Sequence, residues 1–439
     1  MVYPRLIVLE AINRPTIGKD THTMSKDNVI DLKKPDVFIN DPITELVRNG
    51  ARQILANALE SEIAIFINQY KDLVDELGRQ RVVRNGYLPE REIQTGIGPV
   101  AVKAPRVRDR SAHCTTKIVF NSNILPPYLR RTKSMEHLIP WLYLKGVSTG
   151  DFTDALAALV GKDAPGLSAA TISRLKTIWE TDLQEWQQRD LSGKQYVYFW
   201  VDGIHCNVRM DDKQCLLVII GATPDGKKEL VAIDGGFQES ELSWKALLVD
   251  IQSRGLKTGP SLCVGDGALG FWKAVSQVYP DSRWQRCWVH KTANVLNKLP
   301  KSIQPKAKSK LHEIWHADNK DDAERYFDNF IQVYGAKYPK AGQCLKKDRN
   351  ALLTYYNFPA EHWRHIRTTN PIESTFATVR LRTAKVRGCF SATTVVTMAF
   401  KLCQGAEKRW IRLHHPERLA EVIQGVKFVN GIEENRIAA

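Results

Sequence analysis

Residues 196–203 read YVYFWVDG. Six apolar or aromatic residues in a row, rich in β-branched and ring side chains, predict a short buried strand. The run stops at Asp202 and Gly203, so the strand is expected to deliver a carboxylate at its exit. After the turn MDDK, QCLLVIIGATPDG (214–226) and KKELVAID (227–234) read as two more strands joined by Asp- and Gly-containing turns. ESELSWKALLVDIQSRG (239–255) has helical periodicity, with Leu242, Leu247, Leu248 and Ile251 as its apolar stripe. SLCVGDGALGFWKAV (261–275) is a fourth strand that ends in Asp266, between Gly265 and Gly267, with a helix opening after Gly270. SRWQRCWVH (282–290) reads as a fifth strand.

Three strands, a helix, a strand, a helix and a strand, with aspartates closing the first and fourth strands, is the order of a ribonuclease H-like core. Adjacent first and fourth strands bring Asp202 and Asp266 together although they lie 64 positions apart. Two carboxylates that close repel unless a cation sits between them. Mg²⁺, a hard ion that takes oxygen ligands, suits such a pair. A third carboxylate is needed to hold two ions for in-line attack at phosphorus.

The composition agrees with a phosphate-bearing partner. The 439 residues carry 63 Lys and Arg against 48 Asp and Glu, a formal charge of +15. A polyanion is the simplest partner for that excess, since each neutralised phosphate releases counterions. The eight cysteines form no CxxC pair. They point to reduced thiols in the cytoplasm, not to a disulfide framework. No apolar stretch is long enough for a membrane span. MVYPRLIVLEAI is not read as a signal peptide, and Met24 is an alternative start to Met1.

Residues 1–40 read as a loose segment and 41–190 as an N-terminal DNA-binding region. Asp41 and Pro42 open an amphipathic helical stretch with Leu46, Ile54, Leu55, Leu59, Ile63 and Ile67 on its apolar stripe. Residues 78–110 hold eight Lys or Arg and three Asp or Glu, and the flanks of GIG (96–98) predict a small β-hairpin. Arg84, Arg91, Arg106 and Arg108 are its candidate phosphate contacts. Two helices joined by a Gly- and Pro-containing turn over 148–179 fit a helix-turn-helix. Thr171, Ser173, Arg174 and Lys176 lie on the helix that would enter a groove.

Several motifs occur in a fixed order: RNGYLPEREIQTGIGPV (84–100), LYLKGVSTGDF (142–152), VDG (201–203), GDGALGF (265–271), RCWVHKTANVLNKLP (286–300) and TTNPIESTFATVRLRT (368–383). In them the chain resembles the Mutator-type transposases of bacterial insertion sequences, from about Asp41 to about Trp410. The resemblance implies a DDE recombinase whose three acids fall on Asp202, Asp266 and Glu373, as ligands of two Mg²⁺ ions that Mn²⁺ could replace. It also implies a Cys-x-x-His element, here Cys287 and His290, at a strand end near the acids. His290 is the candidate contact to the reacting phosphate.

The implied architecture is an α/β catalytic core of ribonuclease H-like type, a mixed five-stranded sheet with flanking helices. Its first part spans 195–290, an all-α insertion 291–365 and the completion with the Glu-bearing helix 366–415. A tail follows over 416–439. The N-terminal region is mainly helical with the small hairpin. Implied partners are double-stranded DNA, both terminal inverted repeats and target, and a homodimer or higher assembly in the bacterial cytoplasm on the nucleoid. A nuclease of the same fold without strand transfer, and a DNA-binding regulator with a vestigial acid site, are the alternatives.

Asn370-Pro371-Ile372-Glu373 also reads as a helix start, with Asn370 at the N-cap, Pro371 first and Glu373 third. Ile372, Phe376, Val379 and Thr383 form its expected buried stripe. Six Lys or Arg and two acids occupy 361–391. Arg367, Arg380, Arg382 and Arg387 there, with Lys291, complete the candidate DNA contacts. His312-Glu-Ile-Trp-His316 matches a zinc-protease pattern, and Cys287-x-x-His290 is half a zinc site. The first is read as an ordinary packing helix. The second lacks a completing pair.

Overall fold

The computed structural model describes residues 42–111, 116–144, 169–207, 213–236, 239–267, 269–385 and 391–434. The first helix of the helix-turn-helix candidate, Arg387 and the tail beyond Glu434 fall outside these residues.

Helix α1 (Pro42–Gln69) is continuous over 28 residues. It buries Arg48, Leu59 and Ile63, whereas Leu46 and Ile54 of the expected stripe are exposed, so the apolar packing of the helix is confined to its C-terminal half. Its partner is a nest of four strands: β1 (Val82–Tyr87), β2 (Arg91–Thr95), β3 (Gly98–Val102) and β4 (Pro105–Asp109). The expected hairpin is β2–β3 around GIG, and β1 pairs antiparallel with β4 outside it. Arg48 of α1 donates to the Ile97 carbonyl at 3.0 and 3.2 Å, which ties the helix to the hairpin tip. Helices α2 (Lys133–Leu144) and α3 (Ala169–Gln187) follow.

A mixed five-stranded sheet forms the centre. Its strands are β5 (Tyr198–Asn207), β6 (Lys213–Ala222), β7 (Lys228–Gly236), β8 (Leu262–Gly265) and β9 (Arg283–Arg286). The spatial order is β7-β6-β5-β8-β9, with β5 antiparallel to β6 and parallel to β8. Asp202 is therefore not at the exit of its strand. Antiparallel pairing to β6 carries β5 on to Asn207, while the parallel ladder to β8 stops at Val201–Gly265. Asp202 sits one residue past the end of that shorter ladder.

The two-residue alternation of a strand sorts β5 between two cores. Phe199 and Val201 face helices α4 (Glu241–Ser253) and α5 (Leu269–Val278), packing with Trp244 and Phe271. Tyr198 and Trp200 face the other layer. That layer contains α6 (Trp288–Leu296), α7 (Gln304–Trp315), α8 (Lys320–Gly335), α9 (Pro339–Lys346), α10 (Arg349–Leu352) and α11 (Trp363–Ile366). Helices α12 (Asn370–Lys385) and α13 (Ala392–Glu407) complete it, before α14 (Arg418–Ile423) and the small pair β10 (Phe428–Val429) and β11 (Ile432–Glu433). The described residues between β9 and β10 contain no strand. No helix among the described residues is long and apolar enough to cross a membrane.

Helix α12 lies on β5 through Ile372, Phe376 and Val379, all at most 1% exposed. Their i, i+4, i+7 spacing is one helical stripe, as expected from the sequence. The Trp200 indole donates to the His365 carbonyl at 2.9 Å, which fixes the approach to α12 against the strand.

Candidate active site

Leu262 and Val264 share a core with Tyr198 and Trp200, so positions 202 and 266 fall on that same face of the sheet. Extending the Val201–Gly265 pairing by one residue sets Asp202 beside Asp266. Asp202 is 4% exposed. One oxygen accepts from the Gly203 N–H at 2.9 Å, and its Oδ2 is buried with no hydrogen-bond partner. Burial first, then the charge of Asp266, pushes the Asp202 carboxyl up to about 6, against the opposing pull of His290 and Arg380.

Glu239, which the strand-and-helix reading passed over as the first residue of a helical stretch, joins this group. Burial, then Asp266 and Asp202, push its carboxyl up to about 7. It fits because residue 203 is glycine: a Cβ there would stand 2.9 Å from the Glu239 carboxyl carbon and 3.1 Å from the Cys215 sulfur. His205, Cys215 and Glu239 present ligand-type atoms within 4.8 Å of one another.

Opposite the sheet, Glu373 stands on the first turn of α12. The helix begins at Asn370, not after it. The Thr369 carbonyl accepts from the N–H groups of Ile372 and Glu373 at 2.9 and 3.1 Å, so Thr369 holds the cap position given to Asn370. Glu373 is then the fourth helical residue, and its carboxylate turns toward the side chain of the cap residue. Its Oε1 accepts from the Thr369 hydroxyl at 3.0 Å and lies 3.8 Å from His290 Nδ1.

His290 was expected at the end of a strand. Strand β9 stops at Arg286, Cys287 caps α6, and His290 lies on its first turn. Thr369 binds all of these groups: its N–H donates to the Cys287 sulfur at 3.3 Å, and its hydroxyl lies 3.4 Å from His290 Nδ1. A hydroxyl has one proton and two lone pairs. Donation to Glu373 leaves it free to accept from the imidazole. The Cys287 sulfur as hydrogen-bond partner, with Asp202 and Glu373 as neighbouring charges, pushes the His290 pKa up to about 9 despite burial. A cationic imidazole is an anion contact and a poor metal ligand. Because His290 feels both Asp202 and Glu373, it links the sheet side of the site to the helix side.

The candidate DNA contacts divide by environment. Arg106 and Arg108 project from β4 and Arg174 from α3, all exposed, and Lys176 is half-buried. Arg84 pairs with Glu60 at 2.6 Å. Arg91 donates to the carbonyls of Leu125, Pro126 and Pro127. Lys291 is 3% exposed, bonded to the Cys344 carbonyl at 2.8 Å and to Asp348 at 2.5 Å. Arg367 donates to the Trp315 carbonyl and lies over the Trp315 and Tyr355 rings. Arg91, Lys291 and Arg367 thus spend their charge inside the protein. Arg380 is exposed and within electrostatic reach of Asp202. Arg382 lies on α12. In the HExxH stretch, Glu313 pairs with Lys310 at 2.8 Å and His316 Nδ1 lies 2.9 Å from the His312 carbonyl, contacts that belong to one packing helix.

The site thus gathers paired aspartates on one face of the mixed sheet, a buried carboxylate oxygen without a partner, and an imidazole of raised pKa beside a helix-borne glutamate. Residues 21–412 match the family described as Transposase, Mutator family. The chain is 51% identical over 289 residues to the transposase for insertion sequence element IST2 of Acidithiobacillus ferrooxidans, covering 64% of this chain and 96% of that protein. It is 50% identical over 298 residues to the transposase for IS6120 of Mycolicibacterium smegmatis, covering 68% and 92%. The transposase for IS905 of Lactococcus lactis is 30% identical over 346 residues, 78% and 84% of the two chains. The chain belongs to the Mutator family of transposases.

Proposed function

We propose that the chain is the transposase of an insertion sequence. It binds terminal inverted repeats and performs metal-dependent end cleavage and strand transfer at a ribonuclease H-like site of three acids, Asp202, Asp266 and Glu373. The observation that carries this reading is that Asp202 and Asp266 each follow the last pair, Val201–Gly265, of two parallel neighbours, with Asp202 Oδ2 buried and unpartnered. Mg²⁺, or Mn²⁺ in its place, held by these carboxylates would supply Lewis acidity to the attacking and leaving oxygens of an in-line displacement at phosphorus.

The chain's own groups do the rest. His290, charged at neutral pH, binds a non-bridging oxygen of the scissile phosphate. Thr369 aims both His290 and Glu373. Arg380 draws the DNA backbone to the acids. In the first displacement a water oxygen bonds to phosphorus and the 3′ oxygen of the element's end leaves. In the second, that 3′-hydroxyl attacks a target phosphodiester, and a target 3′ oxygen leaves. Both exchange one oxygen for another at phosphorus, so one site serves both. Joining two ends calls for at least two copies on DNA.

End-labelled inverted-repeat duplex and supercoiled target provide the test. Wild-type protein should nick the end and join it. Asp202→Asn, Asp266→Asn and Glu373→Gln should each bind the duplex but lose both steps by on the order of 100-fold or more. Full activity in Glu373→Gln would remove it from the acid set. Nicking with no joining of pre-cleaved ends would leave a nuclease, and binding with no cleavage in the wild type a regulator.

A further inference from the structure

Beside the acids the chain builds a second feature that the chemistry above does not use. A cleft of about 930 Å³ opens between the edge strand β9 with α5 on one side and the segment from α9 to Asn357 on the other. Its volume is at the upper end of the ~300–1,000 Å³ typical of small-ligand sites. Seven of its eighteen lining residues are Lys or Arg, and Asp348 is its one acid. Asp348 is already engaged by Lys291 at 2.5 Å and Arg286 at 3.6 Å. Lys346 and Lys347 are exposed and meet no carboxylate within 4 Å among the described residues.

Two further observations say what the cleft would hold. Arg286 is 6% exposed: its Nε lies 3.6 Å from Asp348, and its Nε and Nη1 are sealed from solvent without a hydrogen-bond partner. A guanidinium fixed behind the cleft wall adds positive charge there, which favours a phosphate in the cleft. Trp272 and Trp284 also line the cleft and stack with ring centroids 5.5 Å apart at 17°. Trp272 is 7% exposed, whereas Trp284 keeps 36% of its surface open. A rigid aromatic plane backed by another and rimmed by cations is the platform on which an unpaired base stacks.

One wall of the cleft reaches the backbone next to Asp266. Gly267, next to Asp266, has φ +88°, and a Cβ on it would fall 1.4 Å from Arg286 Nη1. The buried guanidinium therefore rests on the backbone that follows the second aspartate.

We propose that this cleft is a single-stranded DNA site, in which Lys346 and Lys347 hold phosphates, with the charge of Arg286 behind them, and the open face of Trp284 stacks a base of the strand leaving the acid site. The proposal rests on DNA being the substrate. A duplex binds its bases inside and cannot offer one to Trp284, so the occupant is an unpaired stretch.

The test compares two probes with the full chain: the inverted-repeat duplex with a blunt terminus, and the same duplex with a short oligothymidine tail. The tail should tighten wild-type binding about tenfold. Trp284→Ala should erase that gain and Trp284→Phe should keep most of it. The Lys346→Ala/Lys347→Ala pair, which touches no core, should cut the gain several-fold while blunt-duplex binding and end cleavage persist. No tail gain in the wild type, or an equal gain in all variants, overturns the proposal. Equal loss on blunt and tailed probes in the lysine pair assigns the cleft to duplex backbone and overturns it as well. Absence of blunt-duplex binding and cleavage in the wild type would instead strike at the transposase reading.

Discussion

Thr369 shows how much one small side chain organises. Its hydroxyl bridges His290 and Glu373 and its N–H holds Cys287, so three chemical groups from two helices are set by one residue. Thr369→Val keeps the shape and removes the bridge. End cleavage should fall ~10–100-fold with DNA affinity unchanged, and Thr369→Ser should recover most of it. The paired acids make a pH prediction. Without a cation, the folded chain holds protons on Asp202 and Glu239, with pKa values of about 6 and about 7, that the unfolded chain has already lost. Raised carboxyl pKa values stabilise the fold at low pH, and that contribution is lost as pH rises through them. On the proposed function a divalent cation would replace the lost protons. The Mg²⁺-induced rise in melting temperature should therefore grow from about pH 5 to about pH 8, and Asp202→Asn should flatten the trend. Asp202 and Asp266 were legible in the chain because each closes an apolar run next to glycine. Glu239 was not, because its place depends on the missing Cβ of Gly203, a contact made across the sheet. Thr369 escaped notice for a related reason: a Thr-Thr-Asn-Pro run offers several cap residues, and only the backbone bonds choose among them.

At the scale of elements, helix α12 is held to β5 by a three-residue stripe, and that stripe is what carries Glu373 to the sheet. Phe376 is fully buried there. Phe376→Ala should cost about 3–5 kcal/mol in urea unfolding, whereas Phe376→Leu should cost less than about 1.5 kcal/mol. If the alanine variant folds, cleavage should drop further than binding, since the helix loses its seat. The central strands were readable because their runs are short, apolar and separated by Asp-Gly turns. The outer pair β1–β4 was not. Its partners flank an inner hairpin, and no local pattern announces a pairing between residues that far apart. The overextension of β5 beyond Asp202 was hidden for the same reason, because it depends on the length of β6. In α1 the apolar spacing was read correctly as a helix, but burial depends on where the four-strand nest ends.

Across the whole molecule, the charge of +15 is unevenly used. Arg91, Lys291 and Arg367 spend theirs on carbonyls, carboxylates and rings, while Arg106 and Arg108 present theirs to solvent from one strand. Composition reports the total and is blind to this division. If both exposed arginines meet DNA phosphates, the slope of log affinity against log salt should be shallower by about 2 in the Arg106→Ala/Arg108→Ala variant. An unchanged slope would place the DNA on another face.

The acids are distributed along the chain in a way that bears on synthesis. Asp202 lies in the first strand of the sheet and Asp266 just past the fourth, whereas Glu373 arrives 107 positions after Asp266, beyond seven helices. A ribosome releases the chain from its N-terminus. The basic nest, which has its own apolar core, and both aspartates are therefore made well before the third carboxylate exists. On the proposed function, a product of interrupted translation that keeps the basic nest but stops short of α12 would hold an element's ends without cutting them. The order of the acids makes an unfinished copy a competitor of the finished one.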